Sequence, residues 1–259
     1  MKPISEQGYL VVAIDRSDTS YTQCAQELAR SLKNWHPDAE ICLLTNCTQT
    51  VNADLFKYQH AFPFDLVDNA WANDWQAWYA TPFRETIKLE ADMIITSPID
   101  HWWNMLRHRD VVVSTGCRDW KDQPAKSRFY RKLFDTNNLP DVYNAITYWR
   151  RSELAQTFFN TVKDIFENWN EFRKLLKFPE DVPSTDVVYA MAAKIVGPEL
   201  CTMPFASYPK IVHMKKHIAG TQTEYWQDEL VTEFQPRTVR INTVSQWGAL
   251  HHGIKNIQL

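Results

Sequence analysis

Thr86-Ile-Lys-Leu-Glu-Ala-Asp-Met-Ile-Ile95 decides how the rest of the chain is read. It begins as a buried strand, with Ile87 and Leu89, and ends in two carboxylates one residue apart, Glu90 and Asp92. Apolar residues return at once, at Met93, Ile94 and Ile95. Side chains alternate along a strand, so Glu90 and Asp92 point to one face, and Lys88 shares it. Two acids at the end of a hydrophobic strand are costly to desolvate, so a compensating partner is expected. A divalent cation bridging phosphates would serve, and hard oxygen donors suit Mn²⁺ or Mg²⁺. A solvated turn carrying two surface acids would leave the same pattern.

Upstream, Gly8-Tyr-Leu-Val-Val-Ala-Ile14 is a continuous apolar run, the mark of a strand covered on both faces. A polar turn, Asp15-Arg-Ser-Asp-Thr-Ser20, leads into helical spacing over 21–32, with Cys24, Leu28 and Leu32 on one stripe. Ala39-Glu-Ile-Cys-Leu-Leu-Thr45 is a second buried strand. A right-handed crossover makes the two strands parallel neighbours, and ligands bind at the carboxyl ends of such strands. Residues 15–21 therefore sit at a binding edge. Their loop lacks the G-x-G-x-x-G of a dinucleotide fold. The aromatic segment 62–79 reads as a helix packed through its tryptophans rather than a base-stacking platform.

Downstream come a short helix at His101-Trp-Trp-Asn-Met-Leu106 and strands at 110–115 and 142–149. A long helical region covers 150–178, and a helix over 187–195 follows an N-cap-like Pro183-Ser-Thr-Asp186. A short strand, Lys210-Ile-Val-His-Met214, ends in His213, with Lys215 and Lys216 beside it. The tail to Leu259 is weakly patterned. The expected fold class is α/β, one domain over 1–259 with a central mixed sheet flanked by helices. Residues 118–140 form a basic excursion and 218–259 a C-terminal extension.

Composition narrows the class. The chain has 259 residues, 44% hydrophobic and 13% aromatic, enough for one large domain. A net charge of -3 gives no global pull toward nucleic acid or membrane, so an anionic partner needs a local basic patch. Residues 118–132 supply one: Arg118, Lys121, Lys126, Arg128, Arg131 and Lys132 against Asp119 and Asp122, net +4. Trp120, Phe129 and Tyr130 are interleaved, which suits a phosphate backbone and stacked or flipped bases. A solvated loop is the plainer alternative. Five scattered cysteines without a C-x-x-C pair fit a reduced, cytoplasmic setting. No apolar run nears the roughly 20 residues of a membrane span.

In this order the pieces resemble the GT-A nucleotide-sugar glycosyltransferases, most closely glycosyltransferase family 8. Val11-Val-Ala-Ile14, Tyr21 and Ser31-Leu32 match that family's opening strand, loop tyrosine and helix end. Leu89-Glu-Ala-Asp-Met93 looks like its apolar-Leu-Asp-x-Asp-apolar strand, and Ile99-Asp-His-Trp-Trp103 like the Trp-bearing helix after it. Tyr143-Asn144-Ala145, Ser184-Thr-Asp186 and Ile211-Val-His213 are similar to its Phe-Asn strand, acid-rich helix start and metal histidine. Glu90 replaces the usual first Asp, the Asp-Gln-Asp trio is reduced to Ser184-Thr185-Asp186, and the glycine-lysine spacing expected after the histidine does not follow His213. Thr86-Ile-Lys-Leu-Glu-Ala-Asp-Met with Asp100-His-Trp-Trp also looks like a group of tailed-phage enzymes of this type. Some of those put sugars on hydroxymethylated cytosines in DNA.

The resemblance implies a UDP-sugar donor and Mn²⁺ or Mg²⁺ held by Asp92 and His213, with Glu90 on the metal or ribose. It implies Ala13, Asp15 and Tyr21 at the uracil and ribose. Lys88, Lys215 and Lys216 are expected near the donor's phosphates, and Asn144 and Asp186 on the sugar and acceptor side. It further implies a retained anomeric configuration. The acceptor expected is 5-hydroxymethylcytosine in DNA, contacted by Arg118, Lys121, Lys126, Arg128 and Arg131. A glycan- or protein-directed transferase of the same fold and a non-catalytic binding module of that fold are the alternatives.

Overall fold

The computed structural model describes residues 3–125, 131–203, 209–223 and 225–254. Strand β1 (Ser5–Ala13), helix α1 (Tyr21–Trp35) and strand β2 (Ile41–Thr45) form the expected β-α-β opening, and the two strands pair in parallel. Ser20 caps α1 by accepting a hydrogen bond from the Gln23 amide, and Lys33 sits in the last turn, where the helix dipole favours a cation. Strand β3 (Tyr58–His60) extends the sheet beyond β2. The aromatic segment is largely a 3-10 helix (Ala70–Gln76), running into one turn of α2 (Ala77–Ala80).

The opening stretch divides into β4 (Phe83–Glu90) and β5 (Met93–Ile95). β4 lies parallel to β1, and β5 leaves for a second sheet. Gly8 of β1 is required by this pairing, because a Cβ there would come within 2.4 Å of the Phe83 ring. Helix α3 (His101–Leu106), strand β6 (Val111–Thr115), helix α4 (Lys132–Thr136) and strand β7 (Val142–Arg150) follow. β7 runs antiparallel between β4 and β6, completing a six-stranded sheet in the order β3-β2-β1-β4-β7-β6.

Both faces of that sheet are covered, so its central strands read as near-continuous apolar runs. One face packs Val11, Ile87 and Leu89 against Leu28, Leu32 and Trp102. The other packs Leu10 and Trp149 against α5 (Glu153–Glu167), α6 (Trp169–Leu176) and α7 (Thr185–Val196), through Phe158, Phe159 and Tyr189. The long helical region thus breaks once, at Asn168. Ser184 caps α7 through the Val187 amide, and a short α8 (Pro198–Cys201) follows.

The chain from Ile211 onward supplies strands to two small sheets. Strand β8 (Ile211–His213) is followed by a meander of β9 (Thr232–Gln235), β10 (Thr238–Ile241) and β11 (Val244–Ser245), and then by β12 (Ala249–His251). β12 inserts between β5 and β8, antiparallel to the first and parallel to the second. The C-terminal strand is thereby built in beside the opening stretch. No helix is long and apolar enough to cross a membrane among the described residues.

Candidate active site

The carboxyl ends of β1 and β4 meet the amino end of β7 at one edge of the sheet. A cavity of about 360 Å³ opens there. Its middle is formed by Glu90, Asp92 and His251, whose ligand atoms lie within 4.8 Å of one another. His251 Nε2 stands 3.1 Å from Asp92 Oδ1 and 3.2 Å from Glu90 Oε2. Asp92 and His251 are buried and Glu90 half-buried.

Burial works against a charged His251, but the Asp92 carboxylate and then Glu90 outweigh it, and the imidazole pKa rises above its ordinary value. Burial likewise raises Glu90; His251 draws it down and Asp92 pushes it up, leaving it above the usual carboxylate range. Asp92 and Glu90 therefore both favour the protonated form of His251. Two carboxylates and an imidazole at this spacing are also a donor set that fits Mn²⁺ or Mg²⁺.

His213, the expected ligand, stands one strand further out. Its Nδ1 lies 2.8 Å from His251 Nδ1, at a register pair of β8 and β12. Burial first, then His251 and Lys215, holds the His213 imidazole well below its ordinary pKa, so it is the neutral partner. The pattern assigns His251 Nδ1–H as donor and His213 Nδ1 as acceptor. His213 Nε2 is buried without a hydrogen-bond partner among the described residues, and the ring stands edge-on to Tyr143. The cause of the exchange is strand order: with β12 between β5 and β8, His251 and not His213 neighbours Asp92.

A buried polar network underlies the cleft. Lys88 Nζ donates to both oxygens of Asp74, at 2.8 and 2.7 Å, and is 1% exposed. The Tyr189 hydroxyl also donates to Asp74; burial and then that carboxylate raise its pKa far above normal, so it keeps its proton. Asn144 Nδ2 reaches Asp74 at 3.4 Å, and Asn144 Oδ1 accepts from the Thr147 hydroxyl at 2.6 Å. Lys88 and Asn144 are thus committed to protein partners.

Asp186 enters the cleft from the start of α7. Its Oδ1 accepts from the Asn144 amide at 2.8 Å and its Oδ2 from Arg131 Nη2 at 2.8 Å. Arg131 was expected on an exposed basic patch. It is instead buried, paired also with Asp141 at 3.1 Å, with its guanidinium 3.6 Å from the Tyr143 ring centre. Two carboxylates and an aromatic face draw it inward, so it is withdrawn from any nucleic-acid surface. Arg118 is tied to the Asp122 carbonyl at 2.7 Å, and Lys121 is exposed beside the Trp120 ring. Neither lines the cavity. Lys126 and Arg128 lie outside the described residues.

At the β1 end, Tyr21 and Arg16 line the cavity and Asp15 and Ala13 do not. Asp15 accepts from the Thr22 amide at 2.7 Å and ties the loop to α1, while Ala13 is buried within β1. Lys215 lines the cavity and Lys216 does not. Arg16 falls within the 15–21 edge read from the sequence, whereas Trp71, Asp74 and His251 were not singled out there. Only His251 has a distinctive sequence neighbourhood, a second histidine at 252 and then Gly253 and Lys255.

No protein-family model matches the chain, and no curated protein matches it. Solved structures do. The galactosyltransferase LgtC, in complex with donor and acceptor sugar analogs, matches with a TM-score of 0.51 and 13% identity, over 95% of this chain and 86% of that one. The apo glycosyltransferase GlyE of Streptococcus pneumoniae TIGR4 matches with a TM-score of 0.51 and 11% identity, over 95% of this chain and 54% of that one. The bifunctional glycosyltransferase WbbM matches at 0.50 and 9%, over 83% and 41%. The chain spans most of LgtC but only about half of GlyE and less of WbbM. At these identities the likeness is one of fold, and the fold is that of the GT-A glycosyltransferases.

Proposed function

We propose that this protein is a metal-dependent glycosyltransferase that moves a sugar from a UDP-sugar to a hydroxyl acceptor, with retention. The observation that carries this function is the Glu90–Asp92–His251 cluster at the edge where β1, β4 and β7 meet. Asp92 and His251 would hold Mn²⁺ or Mg²⁺, with Glu90 on the metal or the ribose. His213 holds the His251 ring in register through its Nδ1, the kind of outer contact that orients a metal ligand. Bound there, the ion supplies Lewis-acid neutralisation of charge on the departing diphosphate. Lys215 adds a cation on the same side.

Strand order supports the layout. Tyr21, beside β1, takes the base and ribose, β4 takes the diphosphate, and Asp186 and the start of β7 take the sugar. Both Asp186 oxygens accept hydrogen bonds, so it acts as a fixed negative charge near the reacting carbon. Asn144 and Lys88 act one layer below, orienting Asp74 and the cleft floor. The test is hydrolysis and transfer from a panel of UDP-sugars with Mn²⁺, by wild type, Asp92→Asn and His251→Gln proteins. Wild-type activity in both variants would remove the metal site, and no activity in any would favour a non-catalytic module.

The acceptor proposed is 5-hydroxymethylcytosine in DNA. Exposed Lys121 beside Trp120 supports it, and the withdrawal of Arg131 narrows that support to part of the basic run. Nucleoside mass analysis after incubation with hydroxymethylated DNA decides it. Sugar on a glycan or protein hydroxyl, and none on DNA, would select the alternative acceptor.

A further inference from the structure

The lip of the cleft beside β1 holds a cation within 6 Å of two aromatic rings. The Arg16 guanidinium carbon lies 5.9 Å from the Tyr21 ring centre and 5.7 Å from that of Trp71. All three side chains line the cavity. Arg16 is exposed and has no ion pair among the described residues, so only the two rings hold it, at distances longer than close stacking. Trp71 is 47% exposed, whereas Trp75 and Trp78 of the same segment are buried. A large indole left half in water beside a cleft is poorly explained by packing.

Its segment is anchored from below. Residues three apart in a 3-10 helix eclipse one another, so Trp71 and Asp74 share a face. Asp74 is clamped by Lys88, Tyr189 and Asn144, and both Asp74 and Trp71 line the cavity. Trp71 therefore projects from the same helix face as the clamped Asp74, on the cleft side.

We propose that Trp71 is the second wall of a slot for the base of the donor nucleotide, with Tyr21 as the first. The proposal rests on the nucleotide-sugar function above and adds a residue to it. The Arg16 guanidinium, flat and near both rings, marks the region a planar base takes, and it is displaced as the base enters. Val12 and Ile14 supply apolar contact at the slot's inner end.

Calorimetric binding of UDP and of inorganic pyrophosphate, each with Mg²⁺, to wild type, Trp71→Ala and Trp71→Phe tests this. A stacked base predicts that Trp71→Ala weakens UDP by about 5- to 150-fold. Pyrophosphate, which has no base, binds the variant as it binds wild type. Trp71→Phe recovers most of the UDP affinity. Equal losses for both ligands, or no loss for UDP, overturn the proposal and leave the donor function standing. Wild-type protein that binds neither ligand overturns both. Far-ultraviolet circular dichroism first establishes that Trp71→Ala is folded; if it is not, Trp71→Leu, which also removes the ring face, takes its place.

Discussion

Replacing Lys88 with methionine separates an anchoring lysine from a donor-binding one. Lys88 was expected at the phosphates. In the structure its ammonium is buried and given wholly to Asp74, at 2.7–2.8 Å, with a side-chain exposure of 1% against 11% for Asp74. Methionine keeps the stem's volume and removes the charge. Asp74 then retains the Tyr189 hydroxyl and the 3.4 Å contact from Asn144, two neutral donors for a buried carboxylate. Breaking one side of a buried ion pair costs about 3–5 kcal/mol. At roughly 2–4 °C per kcal/mol for a chain near this size, thermal unfolding should fall by about 6–20 °C. Asp74→Asn in the Lys88→Met background should recover much of that loss, because the uncompensated charge is gone. Thermal unfolding of the four proteins of this cycle gives the numbers, and UDP affinity gives the second axis. An unchanged melting temperature in Lys88→Met, with UDP affinity alone reduced, would refute the anchor and return Lys88 to the donor.

The cluster at Asp92 makes further expectations. Removing His251 as His251→Ala should abolish tight Mn²⁺ binding, whereas His213→Ala, which takes away only the outer contact, should weaken it about 10- to 100-fold; calorimetry that finds the reverse order would exchange the two histidines. Mn²⁺ affinity should rise with pH, because His251 has a raised pKa and must lose its proton to bind. Proton release per ion, read in buffers of different ionisation heat, checks that directly. In chelated protein the sign for stability is opposite. Folded His251 binds its proton more tightly than unfolded histidine, so its contribution is full below about pH 6.5 and is lost as pH rises through the folded value. Glu90, also raised, works in the same direction from lower pH. Arg131→Met should destabilise the fold by freeing Asp186 and Asp141, yet leave the salt dependence of any DNA binding unchanged. Lys121→Ala should reduce that salt slope by about one phosphate contact.

Much of the sheet was legible because strands covered on both faces announce themselves as apolar runs. Leu10 and Val11 face opposite cores, as do Tyr148 and Trp149 of β7, so the pattern needed no partner to be read. Helix α1 and the cap at Ser184 were equally local signals. His251 was not. Ala249-Leu250-His251 is three residues long and becomes a strand only through pairing with β5 and β8, each distant in sequence. Arg131 misled for a related reason. A run of basic residues says nothing about which one finds two carboxylates and an aromatic ring waiting behind it. Trp71 lay in a segment whose other tryptophans are core, and periodicity could not separate a 3-10 helix's exposed indole from its buried neighbours.

The insertion of β12 also explains why the two acids tolerate their position. Glu90 ends a strand of the large sheet, and Asp92 stands just before a strand of the small one, so the pair bridges the two. A strand between β5 and β8 places an imidazole against both, and the His252 amide donates to the Asp92 carbonyl at 3.1 Å, fixing the turn. The cost of the buried carboxylates is offset by one residue from the far end of the chain. Assembly of the cluster therefore requires β12 to be docked between β5 and β8. A chain cut before β12 should keep the main sheet, whose six strands are complete without it, and lose cation binding entirely. Far-ultraviolet circular dichroism with Mn²⁺ calorimetry on a chain ending at residue 247 tests this; tight binding by that chain would show that Glu90, Asp92 and His213 suffice.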